Sequence, residues 1–445
     1  MTYDFTFGKR YNDFEFSLEN QLTFAASISR GIDVFQYGTN KYLYALRKDL
    51  HVQKIYYQNG LLVTINKDSN GKYFIETLNA NTQPTNGLPG TQTPSKNDPS
   101  VTPKNLGFNP VDTVVDPNKP VIYMTRKESK TIYAANFSTG EVKALALPYP
   151  AERLELFNNK LYVTQHEMTH QYDTDEPLIG AIAEVDTQTF NATRLIEIDT
   201  DPYDIAIDEN GYAYISPGSN QFEDIKAYSL KTGAEVPNQL NTSIYMSSNL
   251  YYNSSTSTVY SITKNLSPRD VDAFQVKNGA ILAHYDSPYH GDYPLEPFAK
   301  ITPDGQSMYN YSGVVFKLAK TKDGDLSYLF QLGKKYKDYA FSIKDQLTFA
   351  AREDGGIDVF TFNTNNYLYT IKRDLTVLKL EYQNGQLVAI CSDQNGKYFI
   401  ETIDPAVKGT TEQLNLLKPY LSIGIERKKS MIMMISIMEL KMFPK

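Results

Sequence analysis

The chain reads as an all-β protein on three observations: its composition, a long internal duplication, and a ladder of turn phrases at near-constant spacing. It has 445 residues, with 34 Tyr, 22 Phe and no Trp. Aromatic and β-branched residues fit pleated, half-buried strands better than helices. No long amphipathic helical pattern appears in the main body. The 41% hydrophobic fraction is enough for a large core and too high for a disordered chain.

The duplication comes first because a missed repeat misreads the whole fold. Residues 21–34 read QLTFAASISRGIDV and residues 346–359 read QLTFAAREDGGIDV. The match runs without a gap at an offset of 325 through TNKYLY and TNNYLY, YQNG and YQNG, to NGKYFIET at 70–77 and 395–402. About 44 of 76 aligned positions are identical, which only duplication explains.

Between the copies runs one short phrase, an apolar strand ending in a Thr-Gly, Asn-Gly or Asp-Gly turn. It recurs at Gly140, Gly233, Gly279 and Gly324, with Phe190 in the glycine's place on the remaining rung. Rungs lie 43 to 50 residues apart, and 325 divided by seven is about 46. Glycine supplies the positive φ that such hairpin turns require. A four-stranded antiparallel unit of forty-odd residues is the size of a β-propeller blade. The expected fold is a seven-bladed β-propeller, plus about two extra blade-like units at the C-terminus.

The elements follow in order. Blade starts fall near Glu15, Leu50, Pro110, Glu152, Pro202, Ile244 and Pro297, and the copy resumes near Ala340. KPVIYMTR, KLYVTQ, YAYIS and STVYSI are β-rich runs bounded by turn residues. These boundaries predict a propeller over 1–325, interrupted by a low-complexity loop at 79–107 rich in Pro, Thr, Asn and Gly. Residues 326–405 form a partial duplicate of 1–80, and 406–445 an atypical tail. The two copies are rivals for one blade position, or the extra units add blades or hang off the ring; the residues alone leave this open. The tail, with five of the chain's ten Met in its last fifteen residues, reads as out-of-frame sequence ending a fragment, or as a terminal amphipathic helix or short anchor. Its apolar stretch 431–438 is too short to span a bilayer.

The net charge of −7 and the lack of a basic block argue against nucleic acid or an anionic membrane as partner. The lone Cys391 excludes an internal disulfide framework. The first residues, MTYDFTF, lack the basic and apolar regions of a secretory signal.

The segment TDPYDIAIDENGYAYIS at 200–216 resembles the YVTN/NHL-type propeller signature, a P-x-x-I-A phrase before a polar turn and a Gly-x-x-Tyr-Ile strand. NPVDTVVDPNKPVIYMT at 109–125 is a looser instance. The resemblance implies a propeller akin to lactonase-like and surface-layer propellers, in a bacterial surface or secreted protein. It implies no single activity.

Chemistry-bearing residues are few. His166-Glu167-Met-Thr-His170 resembles the zincin signature. That resemblance implies His166 and His170 as zinc ligands and Glu167 as general base. The chemistry needs both histidines on one helical face, yet strand-like LYVTQ precedes the motif and Pro177 follows it. A solvated loop is therefore the expected structure, with a loop metal site through His166, His170 and Asp173 or Asp175 as a lesser reading. HYDSPYHGDYP offers His284, Tyr285, Asp286 and His290 as loop residues able to hold a sugar or peptide by stacking and hydrogen bonding. Asp112, Asp204 and Asp208 sit where lactonase-like propellers hold a divalent metal such as calcium, but read first as turn residues. The expectation is a non-catalytic binding or scaffold propeller, needing no cofactor, with a protein or carbohydrate ligand on its face loops. The alternative is a metal-dependent hydrolase, lactonase-like or a zinc peptidase.

Overall fold

A computed structural model describes residues 10–406 apart from 29–30, 40, 48–49, 69–70, 81–93, 175–177, 239 and 241. Among the described residues there is no helix. No helix is long and apolar enough to cross a membrane.

Seven sheets follow one another at 110–146, 151–198, 202–236, 249–286, 299–331, 336–371 and 376–403, each an antiparallel meander. Side chains alternate across each strand, but the second strands are covered on both faces over most of their length. Val121–Arg126, Lys160–His166 and Leu347–Arg352 accordingly read as near-continuous apolar runs. The predicted starts at Pro110, Glu152, Pro202 and Pro297 fall within two residues of the observed first strands at Pro110, Ala151, Pro202 and Ala299.

Each apolar cluster belongs to two neighbouring sheets. One joins 110–146 to 151–198 through Tyr123, Leu161 and Phe190, and the next four continue through 336–371. A sixth joins 336–371 to 376–403. The seventh packs Val388, Ile390 and Ile400 on Ile122 and Met124, returning to the first sheet. The ring is closed. Its last sheet has three strands of its own, and residues 103–106 act as the fourth: Leu106 N–H donates to Tyr398 O at 2.8 Å, and Ile400 N–H to Pro103 O at 2.6 Å.

This settles what the duplication left open. The second copy fills the last two ring positions, so the ring spans roughly 101–403 rather than 1–325. The first copy forms its own pair of sheets, 11–46 and 51–79, whose apolar cluster draws only on residues 22–80. The two extra units are thus the N-terminal pair and not a C-terminal one. Part of the expected loop at 79–107 is also ordered: Lys96–Asn97 adds a fifth strand beside Val142–Ala146. Its portion 81–93 and the tail from 407 lie outside the described residues.

The turn rungs adopt the expected geometry. Gly279 has φ +82°, and a Cβ there would lie 2.5 Å from the Tyr212 ring. Phe190 holds φ +55° without glycine's freedom. Its ring is buried and stacks on Tyr123 at 5.8 Å, which offsets a left-handed cost of about 1 kcal/mol.

Candidate functional site

The first strands of all seven sheets face one central cavity of about 430 Å³. Register shifts near the start of most of these strands, as between Ala151 and Leu154 or Pro202 and Ile205, re-aim the next side chains. Asp112, Arg153, Asp204 and Asp338 are all third residues of their first strands, and all line the cavity.

The three aspartates act between sheets. Asp112 Oδ2 accepts the Leu154 N–H at 2.9 Å, Asp204 Oδ2 that of Leu250 at 2.9 Å, and Asp338 Oδ2 that of Leu380 at 2.8 Å. Each staples the next first strand. The signal was present in the sequence as an Asp followed 42 to 46 residues later by an apolar residue, but it needs the blades aligned to be seen. Asp208 is a turn residue, accepting Asn210 and Tyr212 N–H and the Tyr214 hydroxyl. Of the carboxylates expected as metal-ligand candidates, Asp112 and Asp204 thus link neighbouring sheets and Asp208 holds a turn.

The cavity's other charges escaped the sequence reading, since nothing marks a lone Arg, Glu or Lys in a strand as tunnel-facing. Lys300 Nζ pairs with Glu381 at 2.7 Å and Asp338 at 3.6 Å. Burial would lower its pKa, but these carboxylates raise it. Arg153 packs over the Tyr203 ring at 4.7 Å and donates to Asn249 Oδ1 at 3.3 Å. Glu155 pairs with Tyr162 through the strand ladder, but its carboxyl makes no hydrogen bond or ion pair among the described residues. Burial, then the charges of Asp204 and Asp112, push its pKa up to about 8. Burial likewise lifts Asp204 to about 6, against the pull of Arg153.

The HEMTH segment lies at the end of the tunnel where the first strands begin. It is no helix: the strand Lys160–His166 ends within it and a loop follows. His170 Nε2 meets Glu152 Oε2 at 2.6 Å and its Nδ1 meets Asp201 Oδ2 at 2.7 Å. Burial would lower its pKa, but the two carboxylates raise it to about 10. With a carboxylate oxygen against each ring nitrogen, His170 is engaged on both sides, whereas a metal ligand needs a free lone pair. His166 Nδ1 instead contacts Met168 O at 2.8 Å. The zincin arrangement of His166, Glu167 and His170 is thus not formed, because strand and clamp replace the helix. Asp175 lies outside the described residues.

The clamp fixes the loop beyond it. Gly218 packs on His170, where a Cβ would come within 2.2 Å of Nδ1. Gln171 O accepts the Asn220 N–H at 2.9 Å. The loop then presents Tyr172, 59% exposed, and the neighbouring extension presents Phe222, also 59% exposed. Phe222 lies edge-on to Tyr245 at 5.2 Å, and the Tyr245 phenol is raised above its ordinary pKa by burial first and by neighbouring Tyr172 next. Phe222–Asp224 and Ser243–Tyr245 form a two-stranded extension that carries the patch.

The second histidine cluster is split. His284 stacks on Phe274 at 4.4 Å and meets Asp272 Oδ1 at 2.9 Å. Asp272, His284 and Asp286 bring ligand atoms within 4.8 Å of one another. Tyr285 points to the other face, its hydroxyl donating to Asp325 at 2.9 Å. His290 pairs separately with Asp270 at 2.9 Å. No single site unites the four.

No protein-family model matches the chain, and no curated protein matches its sequence. Solved structures do. The WD40 repeats of RRP9 match with a TM-score of 0.52 at 9% identity, over 70% of this chain and 97% of that one. U3-55K matches with a TM-score of 0.52 at 9% identity, over 71% and 100%. Hydrazine synthase of Kuenenia stuttgartiensis matches at 13% identity over 67% and 96%, with a TM-score of 0.49. The fold is a β-propeller. At these identities the likeness concerns the fold alone, and this propeller's surfaces must be argued from its own residues.

Proposed function

We propose that this propeller is a non-catalytic binding module whose partner is a protein held at the tunnel mouth by Tyr172, Phe222 and Tyr245. The observation that carries the reading is this exposed aromatic patch on a clamped loop. Apolar groups left in water on a rigid support mark interaction sites, and Tyr combines large contact area with a polar tip. The groups that hydrolysis would need are engaged elsewhere: His170 by two carboxylates, and Asp112, Asp204 and Asp338 by backbone amides. A projecting patch suits a protein surface better than a sugar, which favours a concave site. The YVTN/NHL-like phrase at 200–216 supports a bacterial surface or secreted origin.

The test compares the protein with a Tyr172→Ala/Phe222→Ala variant for capture and affinity of partners from its native source. The expected result is one partner whose affinity falls about tenfold to a hundredfold in the variant. Equal binding by both proteins would sink the reading. Metal content serves the alternative: roughly one zinc per chain, lost on His166→Ala/His170→Ala, would put a hydrolase ahead.

A further inference from the structure

The tunnel holds a buried cation whose donors are not all used. Arg153 is 6% exposed and lines the 430 Å³ cavity. Its Nη2 donates to the Tyr203 hydroxyl and, at 3.3 Å, to Asn249 Oδ1. Nη1 has no partner among the described residues, and Nε is buried without one. Buried polar groups are nearly always hydrogen-bonded, so an orphaned guanidinium edge calls for an acceptor. We propose that the tunnel binds a small aromatic carboxylic acid, whose carboxylate Arg153 holds and whose ring lies against Phe298.

The charges around Arg153 favour an anion. The carboxylates whose charge reaches it are Asp204, Asp112 and Glu152, and each is engaged elsewhere. Asp204 accepts the Leu250 N–H, Asp112 accepts that of Leu154, and Glu152 meets His170. Two further cations stand near. Lys379 Nζ lies 5.8 Å from the centre of the Phe298 ring, and the Arg153 guanidinium 6.0 Å from it. Lys264 Nζ lies 5.5 Å from the Tyr203 ring, on which Arg153 also packs. Burial, then the Arg153 charge, lower the Lys264 pKa. Neither lysine has an ion pair among the described residues. Glu155 adds no charge against an anion at neutral pH, since burial and the charges of Asp204 and Asp112 raise its pKa to about 8.

The walls supply the rest of the site. Tyr251 and Tyr311 line the cavity with Phe298. Both tyrosines are fixed, Tyr251 by accepting the Ala299 N–H at 3.0 Å and Tyr311 by donating to Asp338 Oδ1 at 2.8 Å. Arg153 is held as firmly: Asn249 Nδ2 donates to Pro297 O at 2.8 Å, which turns Oδ1 toward the guanidinium. Apolar walls with a few fixed polar groups are the usual make-up of a small-molecule site, and the volume falls within its range of roughly 300–1,000 Å³. A charge-assisted bond to Arg in so buried a place is a strong one. The site goes beyond the aromatic patch of Tyr172, Phe222 and Tyr245 and shares no residue with it.

The test titrates the full chain at neutral pH with benzoate, phenylacetate and 3-phenylpropionate, and with their neutral amides, by calorimetry. At least one acid is expected to bind once per chain, with its amide at least about tenfold weaker for want of the charge-assisted bond. Arg153→Met keeps the apolar stem without the donors and should weaken that acid at least about tenfold. Lys379→Met, at a position that makes no ion pair among the described residues, should weaken it about threefold and carries the comparison if Arg153→Met fails to fold. The proposal is overturned if none of the three acids binds, if the amides bind as well as the acids, or if the affinity is unchanged in the variants.

Discussion

The two copies of the duplicated segment share some 58% of their sequence yet occupy different environments. Within each pair the packing is the same. Phe24 stacks on Tyr57 at 5.5 Å, and Phe349 on Tyr382 at 5.6 Å. Asp13 Oδ2 accepts the Ile55 N–H at 3.1 Å as Asp338 accepts that of Leu380. The copies differ most in burial on their outer flanks. There Phe14 is 37% exposed while Tyr339 is fully buried. Local sequence builds the blade pair; its neighbours decide which of its apolar faces count as core.

The largest expected difference is in amide exchange. In the wild type the Ile400 amide, bonded to Pro103 O, should exchange at least about a thousandfold more slowly than that of Ile75, as buried ring strands exceed open edges. Equal rates would mean that both copies are in the ring or that neither is.

Next comes truncation of the flanks. Tyr339→Ala should cost about 3 kcal/mol by denaturant titration, whereas Phe14→Ala should cost under about 1 kcal/mol. Similar losses would erase the distinction between the two copies.

Glu381→Tyr gives the second copy the first copy's residue at its one tunnel position of opposite character. Lys300 then keeps Asp338 and the Leu380 carbonyl. The expected loss is about 1 kcal/mol, because the pair is partly solvated. The reverse change, Tyr56→Glu, should leave stability unchanged.

A further effect is a pH slope. The Glu155 pKa is raised to about 8 from a normal 4.5, so the folded state binds the proton more tightly than the unfolded one. Its contribution is fully present below pH 4.5 and is lost as pH rises through 8. Glu155→Gln should therefore raise Tm at pH 8.5 relative to wild type while changing the difference little at pH 4. A parallel displacement at both pH values would show that the carboxyl is not held neutral.

Much of the architecture could be read from the residues, because periodicity and turn chemistry are local. Gly279 and Phe190 marked their turns, and Pro110 and Pro202 marked their first strands. The site was far less legible. His166-Glu167-x-x-His170 has the spacing of a metal site, but spacing carries chemistry only on a helix, and strand pairing removed the helix. Tyr285 and His284 are neighbours in sequence and face opposite sides of one strand. Arg153, Glu155, Lys300 and Glu381 gain significance only when seven strands from distant parts of the chain converge.

The sequence by itself determined the blade, its length, its turns and its repetition, since these depend on side chains within about fifty residues of one another. Tertiary structure alone decided which copy closes the ring, which charges meet in the tunnel and that His170 is clamped between Glu152 and Asp201. Those outcomes rest on contacts between residues far apart in the chain, where the burial of a whole flank or one ion pair such as Lys300–Glu381 separates arrangements that the local pattern leaves equal.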